Sequence, residues 1–285
     1  MSLNKPAIII VSSHVAQGAV GGRAAIFALE RLGFPVTAVP SVLLSWHPGV
    51  GPATRIVAPV ESFAAIIDDL IGAPWLGTVG AILSGYLGED GQAAPVAALV
   101  EAVKARNPDA LYLCDPVIGD AGGLYVSAEI VAAIGEKLIP LADIATPNRH
   151  ELGFLGESVL TDNDGLVQAA RAMGTKEVVV TSAFAAPEEA ANLLITADGG
   201  YCARHPAMPV APHGTGDLLA ALYLAHRLDG SGAPDALRFA VGSTLHLVEA
   251  AASGEELPLA REQAAFFKPH AAVSLAKLAP TLPGA

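Results

Sequence analysis

One short stretch of the sequence combines residue types suited to binding an anion with a carboxylate suited to act as a base. It reads Gly214-Thr215-Gly216-Asp217 and is followed by an apolar, helix-forming run, residues 218–224. Glycines let the chain turn sharply, and a helix that begins near Asp217 leaves its first N–H groups unpaired. Because aligned peptide dipoles add positive charge, a phosphoryl group can bind the N–H groups of Gly214, Thr215 and Gly216. Asp217 beside that anion suits a base that accepts a hydroxyl proton during phosphoryl transfer.

The same four residues also fit a purely structural role. A glycine-rich turn with an aspartate at a helix start is often only a cap. Short motifs have a real false-positive rate, so this one alone leaves both interpretations open. His213 directly precedes the motif and its position is suggestive, but nothing in the sequence assigns it a role. The rest of the sequence has to distinguish a phosphoryl-transfer site from a structural helix cap.

Strand-length apolar runs alternate with helical segments along the chain, which predicts a parallel sheet covered by helices. The strands are expected at residues 7–11, 35–44, 79–83, 110–114, 144–146 and 177–181. The helices are expected at residues 21–32, 62–71, 93–105, 129–138, 150–155, 165–173, 218–228, 233–252, 259–267 and 271–278. Residues 192–196 and 201–205 flank an Asp-Gly turn, which indicates an antiparallel hairpin at one sheet edge. We expect an α/β fold with helices on both faces, in one domain over residues 1–285.

Polar residues follow most of the predicted strands. In an open sheet of this class, ligands bind beyond the carboxyl ends of the strands, so these residues are expected on one rim. They are Ser12-Ser13-His14, Ser84-Gly85-Tyr86-Leu87-Gly88, Asp115 to Asp120, Thr146 to Glu151, and Thr181-Ser182.

The composition excludes several classes of protein. The 285 residues are 52% hydrophobic and 15% charged, so most of the chain packs into a core. A formal charge of −12 argues against nucleic acid and anionic membranes as partners. Although the mean hydropathy is +0.48, no apolar run reaches the roughly 20 residues that a spanning helix needs. Residues 1–6 do not resemble a signal peptide, and two cysteines form neither a disulfide framework nor a metal cluster, so we expect a cytoplasmic protein.

Five motifs in this order resemble the pyridoxal kinases of the ribokinase-like superfamily. The resemblance extends over residues 8–249, and the combination is more specific than any single motif. The motifs are Ser13-His14-Val15 with Gly18, Leu83-Ser84-Gly85-Tyr86-Leu87-Gly88, Cys114-Asp115-Pro116-Val117-Ile118-Gly119, Thr146-Pro147-Asn148-Arg149-His150-Glu151-Leu152, and Gly214-Thr215-Gly216-Asp217.

The resemblance implies ATP-dependent phosphorylation of the 5′-hydroxymethyl group of pyridoxal, with pyridoxine and pyridoxamine as further acceptors. Asp217 would be the catalytic base, and the N–H groups of residues 214–216 would stabilise the transferring phosphoryl group. Asn148 and Glu151 would organise Mg²⁺ and phosphate, and Asp115 would lie near the phosphates or the metal. Mg²⁺ prefers such oxygen ligands. The family also implies a homodimer, and the sequence does not decide whether a monovalent cation such as K⁺ is needed.

The resemblance also implies contacts for the two substrates. Ser13 matches the serine that hydrogen-bonds the pyridine ring, and Tyr86 lies beside the substrate pocket. Thr181 would lie near the nucleotide, together with Thr215. Residues 119–125 would form the mobile loop that covers the phosphates and excludes water, and Tyr125 matches the tyrosine at its end.

One segment departs from the family pattern. Where pyridoxal kinases usually carry Ser-Asn-His-Thr, this chain has Ser45-Trp46-His47-Pro48. His47 remains a candidate substrate contact, but Pro48 cannot supply the threonine hydroxyl. Trp46 would either stack on the substrate ring or fill a contact between lid and core.

Two alternative functions stay open on this sequence. A hydroxymethylpyrimidine kinase of thiamin metabolism shares the fold and the glycine-rich turn. A catalytically weak carrier of pyridoxal phosphate is the other alternative, against which the intact Asp217, Asn148 and Glu151 count. The sequence does not decide the preference among pyridoxal, pyridoxine, pyridoxamine and hydroxymethylpyrimidine.

Overall fold

The computed structural model describes residues 5–251, 256–268 and 273–279. Within them the strands are β1 (Ala7–Val15), β2 (Val36–Leu44), β3 (Arg55–Ile56), β4 (Val79–Ser84), β5 (Leu111–Cys114), β6 (Gly119–Asp120), β7 (Gly123–Leu124), β8 (Ile144–Ala145), β9 (Glu177–Ala183), β10 (Glu189–Thr196), β11 (Gly199–Pro206) and β12 (Ser274–Lys277). The α-helices are α1 (Gly22–Arg31), α2 (Val60–Ile71), α3 (Ala93–Arg106), α4 (Ala128–Ala133), α5 (Arg149–Leu155), α6 (Asn163–Ala172), α7 (Thr215–Leu228) and α8 (Ala233–Ala250).

The large sheet has the strand order β12-β11-β10-β9-β8-β5-β4-β1-β2-β3. Strands β2, β1, β4, β5, β8 and β9 run parallel to their neighbours within that group. Strands β10, β11 and β12 continue the sheet antiparallel on one side, and β3 pairs antiparallel with β2 on the other. The predicted α/β fold is confirmed, including the antiparallel strands at the edge.

The buried face of each element explains why these segments fold as they do. Ile8, Ile9 and Ile10 in β1 are at most 1% exposed, as a central strand covered on both sides requires. Helices α1, α7 and α8 pack on one face of the sheet, whereas α2, α3 and α4 pack on the other. Residues Leu218 to Ala225 of α7 are all buried, so the helix that carries Asp217 is anchored along two turns. No helix among the described residues has the length and apolarity needed to cross a membrane.

Two C-terminal helix predictions are wrong. Residues 274–277, which we expected in a helix over residues 271–278, form β12 and pair with β11. Residues 263–267 form a short 3₁₀ helix instead of part of an α-helix over residues 259–267. In both segments tertiary contacts override the helix propensity of Ala and Leu. Residues 252 and 271, at the ends of predicted helices, lie outside the described residues.

Two segments near the predicted rim are more regular than expected. Strand β1 continues through Val15, so Ser12, Ser13 and His14 belong to the strand instead of following it. Residues 119–124, part of the mobile loop expected over residues 119–125, form a small hairpin in which β6 pairs antiparallel with β7. Its tip is closed by the Gly122 N–H, which donates to the Asp120 carboxylate at 2.7 Å. We call this element the cover hairpin.

Candidate active site

The anion-binding turn predicted from the sequence lies at the start of α7. Gly214 precedes the helix with a φ of 90°, a left-handed conformation that glycine adopts without steric cost. The N–H of Leu218 donates to the Gly214 carbonyl at 3.0 Å and closes the first turn of the helix. The N–H groups of Thr215 and Gly216 precede this bond and point out of the helix end, where they are available to an anion.

Asp217 is held by a distant part of the chain. Its carboxylate accepts a hydrogen bond of 2.8 Å from the N–H of Gly21, 196 positions earlier in the chain. Burial raises the pKa of Asp217 to about 6, although the Gly21 N–H opposes the shift. Asp217 is therefore a carboxylate fixed between two elements, with the pKa of a base that works near neutral pH.

Ser13 lies directly beside the residue that holds this carboxylate. A Cβ atom on Gly21 would lie 2.1 Å from the Ser13 hydroxyl oxygen, and one on Gly22 would lie 2.9 Å from the Ser13 carbonyl oxygen. Only glycines let the start of α1 approach β1 so closely. Sequence reasoning missed Gly21 as a functional residue, and the Gly-Gly pair at the start of the helix predicted over residues 21–32 was the available signal.

Two buried carboxyl groups, Asp115 and Glu151, lie close to the half-buried carboxylate of Asp217 at this rim. Burial raises the pKa of Asp115 well above its usual range, and the charges of Glu151 and Asp217 raise it further. Burial also raises the pKa of Glu151 to about 7, against three backbone N–H groups that lower it. Thr146 donates its hydroxyl to the Asp115 carboxylate at 2.9 Å. A site with this much negative charge favours a cation as a neighbour.

Asn148 and Glu151 connect the start of α5 to the cover hairpin. The Asn148 side chain caps α5 by accepting from the Glu151 N–H at 3.0 Å, and Glu151 accepts from the Asn148 N–H at 2.8 Å. Asn148 Nδ2 also donates to the Gly119 carbonyl at 2.8 Å, and the Ile118 N–H donates to Glu151 at 2.9 Å. This pair therefore fixes the base of the hairpin, which is a role that the motif alone did not reveal.

Tyr125 lies just after the cover hairpin and is 53% exposed. Its hydroxyl hydrogen-bonds the Asp120 carboxylate, which is the main reason why the pKa of Asp120 is lowered. The Tyr125 N–H donates to the Ile118 carbonyl at 2.8 Å and closes the base of the hairpin. The assignment of Tyr125 as a substrate contact stays a prediction.

A cavity of about 250 Å³ opens beside the anion-binding turn. Thr181, Ser182, Asn192, Thr215, Gly216 and Thr244 supply its polar groups, and Leu219, Val241 and Val248 are among its apolar walls. Among the residues predicted to bind nucleotide, Thr181 and Thr215 thus line one cavity. Asp115, Asn148 and Glu151 do not line it, but Asn148 adjoins it through a strand-like bridge to Thr181.

The segment between β2 and β3 carries the predicted substrate contact His47. We call residues 45–51 the lid loop. His47 starts a short 3₁₀ turn at Pro48–Val50 and accepts a hydrogen bond from the Gly49 N–H at 3.0 Å. Trp46 is 39% exposed and donates its indole N–H to the Gly51 carbonyl at 3.3 Å, a contact within the lid loop.

Tyr86, another predicted substrate contact, follows β4, and its carbonyl accepts the Ser41 hydroxyl at 2.5 Å.

Comparison with known proteins identifies relatives over nearly the whole chain. Residues 78–257 match the family model described as phosphomethylpyrimidine kinase. Pyridoxal kinase PdxY of Leifsonia xyli subsp. xyli is 36% identical over 92% of this chain and 96% of the relative. Pyridoxal kinase PdxY of Deinococcus radiodurans is 38% identical over 85% of this chain and 86% of the relative. The structure of pyridoxal kinase from Leishmania donovani with ADP and pyridoxamine superposes with a TM-score of 0.88 at 29% identity, covering 95% and 99% of the two chains.

Proposed function

This chain belongs to the pyridoxal kinase family, and we propose that it phosphorylates pyridoxal at the turn formed by residues 214–217. The enzyme transfers the γ-phosphoryl group of ATP to the 5′-hydroxymethyl oxygen of pyridoxal, which gives pyridoxal 5′-phosphate and ADP in vitamin B6 salvage. The site assignment rests on one observation. The helix start that carries the unpaired N–H groups of Thr215 and Gly216 also carries Asp217, whose carboxylate is held by the Gly21 N–H.

Asp217 accepts the proton of the 5′-hydroxyl group as its oxygen bonds to the γ-phosphorus. The bond from that phosphorus to the bridging oxygen breaks, and ADP leaves with the bonding electrons. A loose transition state of this kind needs positioning and charge stabilisation more than a strong base. The N–H groups of residues 214–216 supply the stabilisation, Thr181 and Thr215 contact the nucleotide, and Ser13, His47, Tyr86 and Tyr125 contact the pyridine substrate.

Turnover is expected to fall as the pH drops through about 6. Because burial raises the pKa of Asp217 above that of an ordinary aspartate, its carboxylate is ionised above about pH 6 and protonated below it. A protonated carboxyl group cannot accept the substrate proton, so kcat/KM for pyridoxal is lost on the acidic side. A steady-state pH profile measures this limb. A limb centred near pH 4, the value of an unburied aspartate, would contradict the assignment.

The residues at the rim fit a magnesium ion. Asp115 and Glu151 are buried carboxyl groups, and a cation would relieve the repulsion that Asp115 experiences from Glu151 and from the half-buried Asp217. Oxygen donors are the ligands that Mg²⁺ prefers. Among the described residues no group of three or more His, Cys, Asp or Glu side chains is arranged as a metal cage. In the proposed site, Asp115 and Glu151 would hold the ion, and nucleotide phosphates would share its coordination. When bound, the ion neutralises phosphate charge.

Removal of divalent cations with EDTA is expected to abolish turnover, and added Mg²⁺ is expected to restore it. Asp115→Asn should raise the Mg²⁺ concentration for half-maximal rate by about tenfold or more. Asp109→Asn, which changes an exposed carboxylate, serves as the matched control and should leave this concentration unchanged. Full activity in EDTA would exclude the metal site.

Replacing K⁺ by tetramethylammonium in the same assay tests the need for a monovalent cation.

The edge of the sheet at β3 supports the proposal of a homodimer. Leu43 and Ile56 are paired across β2 and β3 and are 44% and 57% exposed, and the nearby Val50 is 75% exposed. Exposed apolar groups along an edge strand commonly mark an interface. Sedimentation of the 28.9 kDa chain is expected to give twice the monomer mass, and a monomer at micromolar concentration would contradict this.

A cytoplasmic location also stays a proposal. Cys114 and Cys202 are both buried free thiols, which suits a reducing compartment. Fractionation of the producing cells tests it, with recovery outside the cytoplasm as the contrary result.

The family model leaves a hydroxymethylpyrimidine kinase as the second candidate, because its description names phosphomethylpyrimidine kinase. Relatives that are 36% and 38% identical over most of their length carry the name pyridoxal kinase, which favours pyridoxal. Incubation with pyridoxal and Mg-ATP should therefore produce pyridoxal 5′-phosphate and ADP in equal amounts, as measured by mass spectrometry. Binding of pyridoxal without product would instead support the carrier alternative.

A further inference from the structure

His213 joins the lid loop to the anion-binding turn. It directly precedes Gly214, and its imidazole stacks on that of His47 with ring centroids 4.0 Å apart and ring planes at 27°. Stacked aromatic rings attract each other in addition to the stabilisation from the surface area that they bury. The stack therefore places the ring of His47 beside the turn that we assign to the phosphoryl group.

Gly49 shapes this contact from the lid side. A Cβ atom on Gly49 would lie 2.9 Å from His213 Nε2 and 2.9 Å from His47 Nδ1. The absence of a side chain at this position is what lets both rings occupy their places. The Gly49 N–H donates to His47 Nδ1 at 3.0 Å, so a neutral His47 carries its proton on Nε2 and presents that N–H as a donor.

Other side chains of the lid loop contribute little to holding it down. Trp46 is 39% exposed and donates its indole N–H to a carbonyl of the same loop. Pro48 follows His47 and has no hydroxyl or N–H with which to fix it. Within the part of the chain that the structure describes, the His47 ring has two specific contacts, the hydrogen bond from the Gly49 N–H and the stack on His213.

We propose that His213 is a positioning residue that holds His47 toward the pyridine substrate by stacking on it, with Gly49 providing the space. The inference rests on the proposed function, in which His47 contacts pyridoxal. It predicts that the aromatic ring at position 213 matters and that its nitrogen atoms do not. An alternative role, a hydrogen bond from His213 to the phosphoryl group, makes the opposite prediction.

The test compares His213→Ala, His213→Phe and Gly49→Ala with the wild type. His213→Ala should raise KM for pyridoxal by about twofold to tenfold, with kcat and KM for ATP nearly unchanged. His213→Phe, which keeps a stacking ring, should restore KM for pyridoxal, whereas Gly49→Ala should raise it as His213→Ala does. Gly72→Ala is the matched glycine control, because a Cβ there meets only ordinary contacts of 3.5 Å and 3.6 Å.

Thermal unfolding of each variant separates loss of folding from loss of positioning. The proposal is overturned if His213→Phe is as impaired as His213→Ala, or if His213→Ala leaves KM for pyridoxal unchanged. A fall in kcat or a rise in KM for ATP in both His213 variants would assign His213 to the phosphoryl group instead. Wild-type turnover is measured in parallel, so absence of pyridoxal phosphorylation there would reject the proposed function and not only this inference.

Discussion

Asp217→Asn is expected to lower kcat by about three orders of magnitude while pyridoxal and ATP still bind. Asparagine has nearly the same shape, and its side-chain oxygen can still accept the Gly21 N–H that Asp217 accepts at 2.8 Å. It cannot take the proton of the substrate hydroxyl group. A coupled assay of ADP release measures the rate, and titration calorimetry measures binding of both substrates.

Asp229→Asn is the matched control for this substitution. Asp229 is also an aspartate associated with α7, but it lies at the C-terminal end and pairs with Lys5 at the surface at 2.8 Å. An exposed ion pair of this kind contributes little, so kcat should stay at the wild-type value. Equal phosphorylation by the wild type and Asp217→Asn would show that the base has been assigned wrongly.

Gly214→Ala is expected to lower both activity and stability. The residue has a φ of 90°, and a Cβ atom would lie 2.1 Å from the carbonyl oxygen of Ala19. That atom belongs to the backbone between β1 and α1, so the turn has to shift away from it. Displacing one N–H donor from a developing negative charge costs a factor of about 100 or more in kcat. The midpoint of thermal unfolding should also fall by several degrees, and differential scanning calorimetry measures it.

Gly216→Ala separates the loss of activity from the loss of stability. A Cβ atom at this position meets no atom within 4 Å, so thermal stability should be preserved. The added methyl group would nevertheless occupy the space in front of the turn, and turnover should fall. If Gly214→Ala retained both its unfolding midpoint and its kcat, the turn would not have the role assigned to it.

The turn at the start of α7 could be predicted from sequence because its residues are local. Residues 214–217 carry the turn, the helix start and the carboxylate in one continuous stretch, and α7 begins at Thr215. The partner of the carboxylate could not be predicted in this way. Gly21 reaches Asp217 only because α1 and α7 pack side by side on one face of the sheet.

The difference between local features and contacts between distant parts of the chain also explains the errors in the predicted fold. The central strands could be predicted correctly because strands of this kind are buried on both faces and therefore consist of a continuous apolar run, such as Ile8 to Ile10 in β1. Strand β12 contains Ala276 and Lys277, which also suit a helix, and it becomes a strand through its pairing with β11. The role of Glu151 in fixing the cover hairpin was hidden for a similar reason, since Ile118 lies 33 positions away.

The most direct test of the central claim is the acceptor preference of the wild-type enzyme. ADP release is measured with Mg-ATP and equal concentrations of pyridoxal, pyridoxine, pyridoxamine and hydroxymethylpyrimidine. We expect pyridoxal to be turned over well above hydroxymethylpyrimidine, which would also show that Trp46 and Pro48 in the lid loop are compatible with the pyridine ring. A preference for the pyrimidine would contradict the account and assign the enzyme to thiamin precursor metabolism.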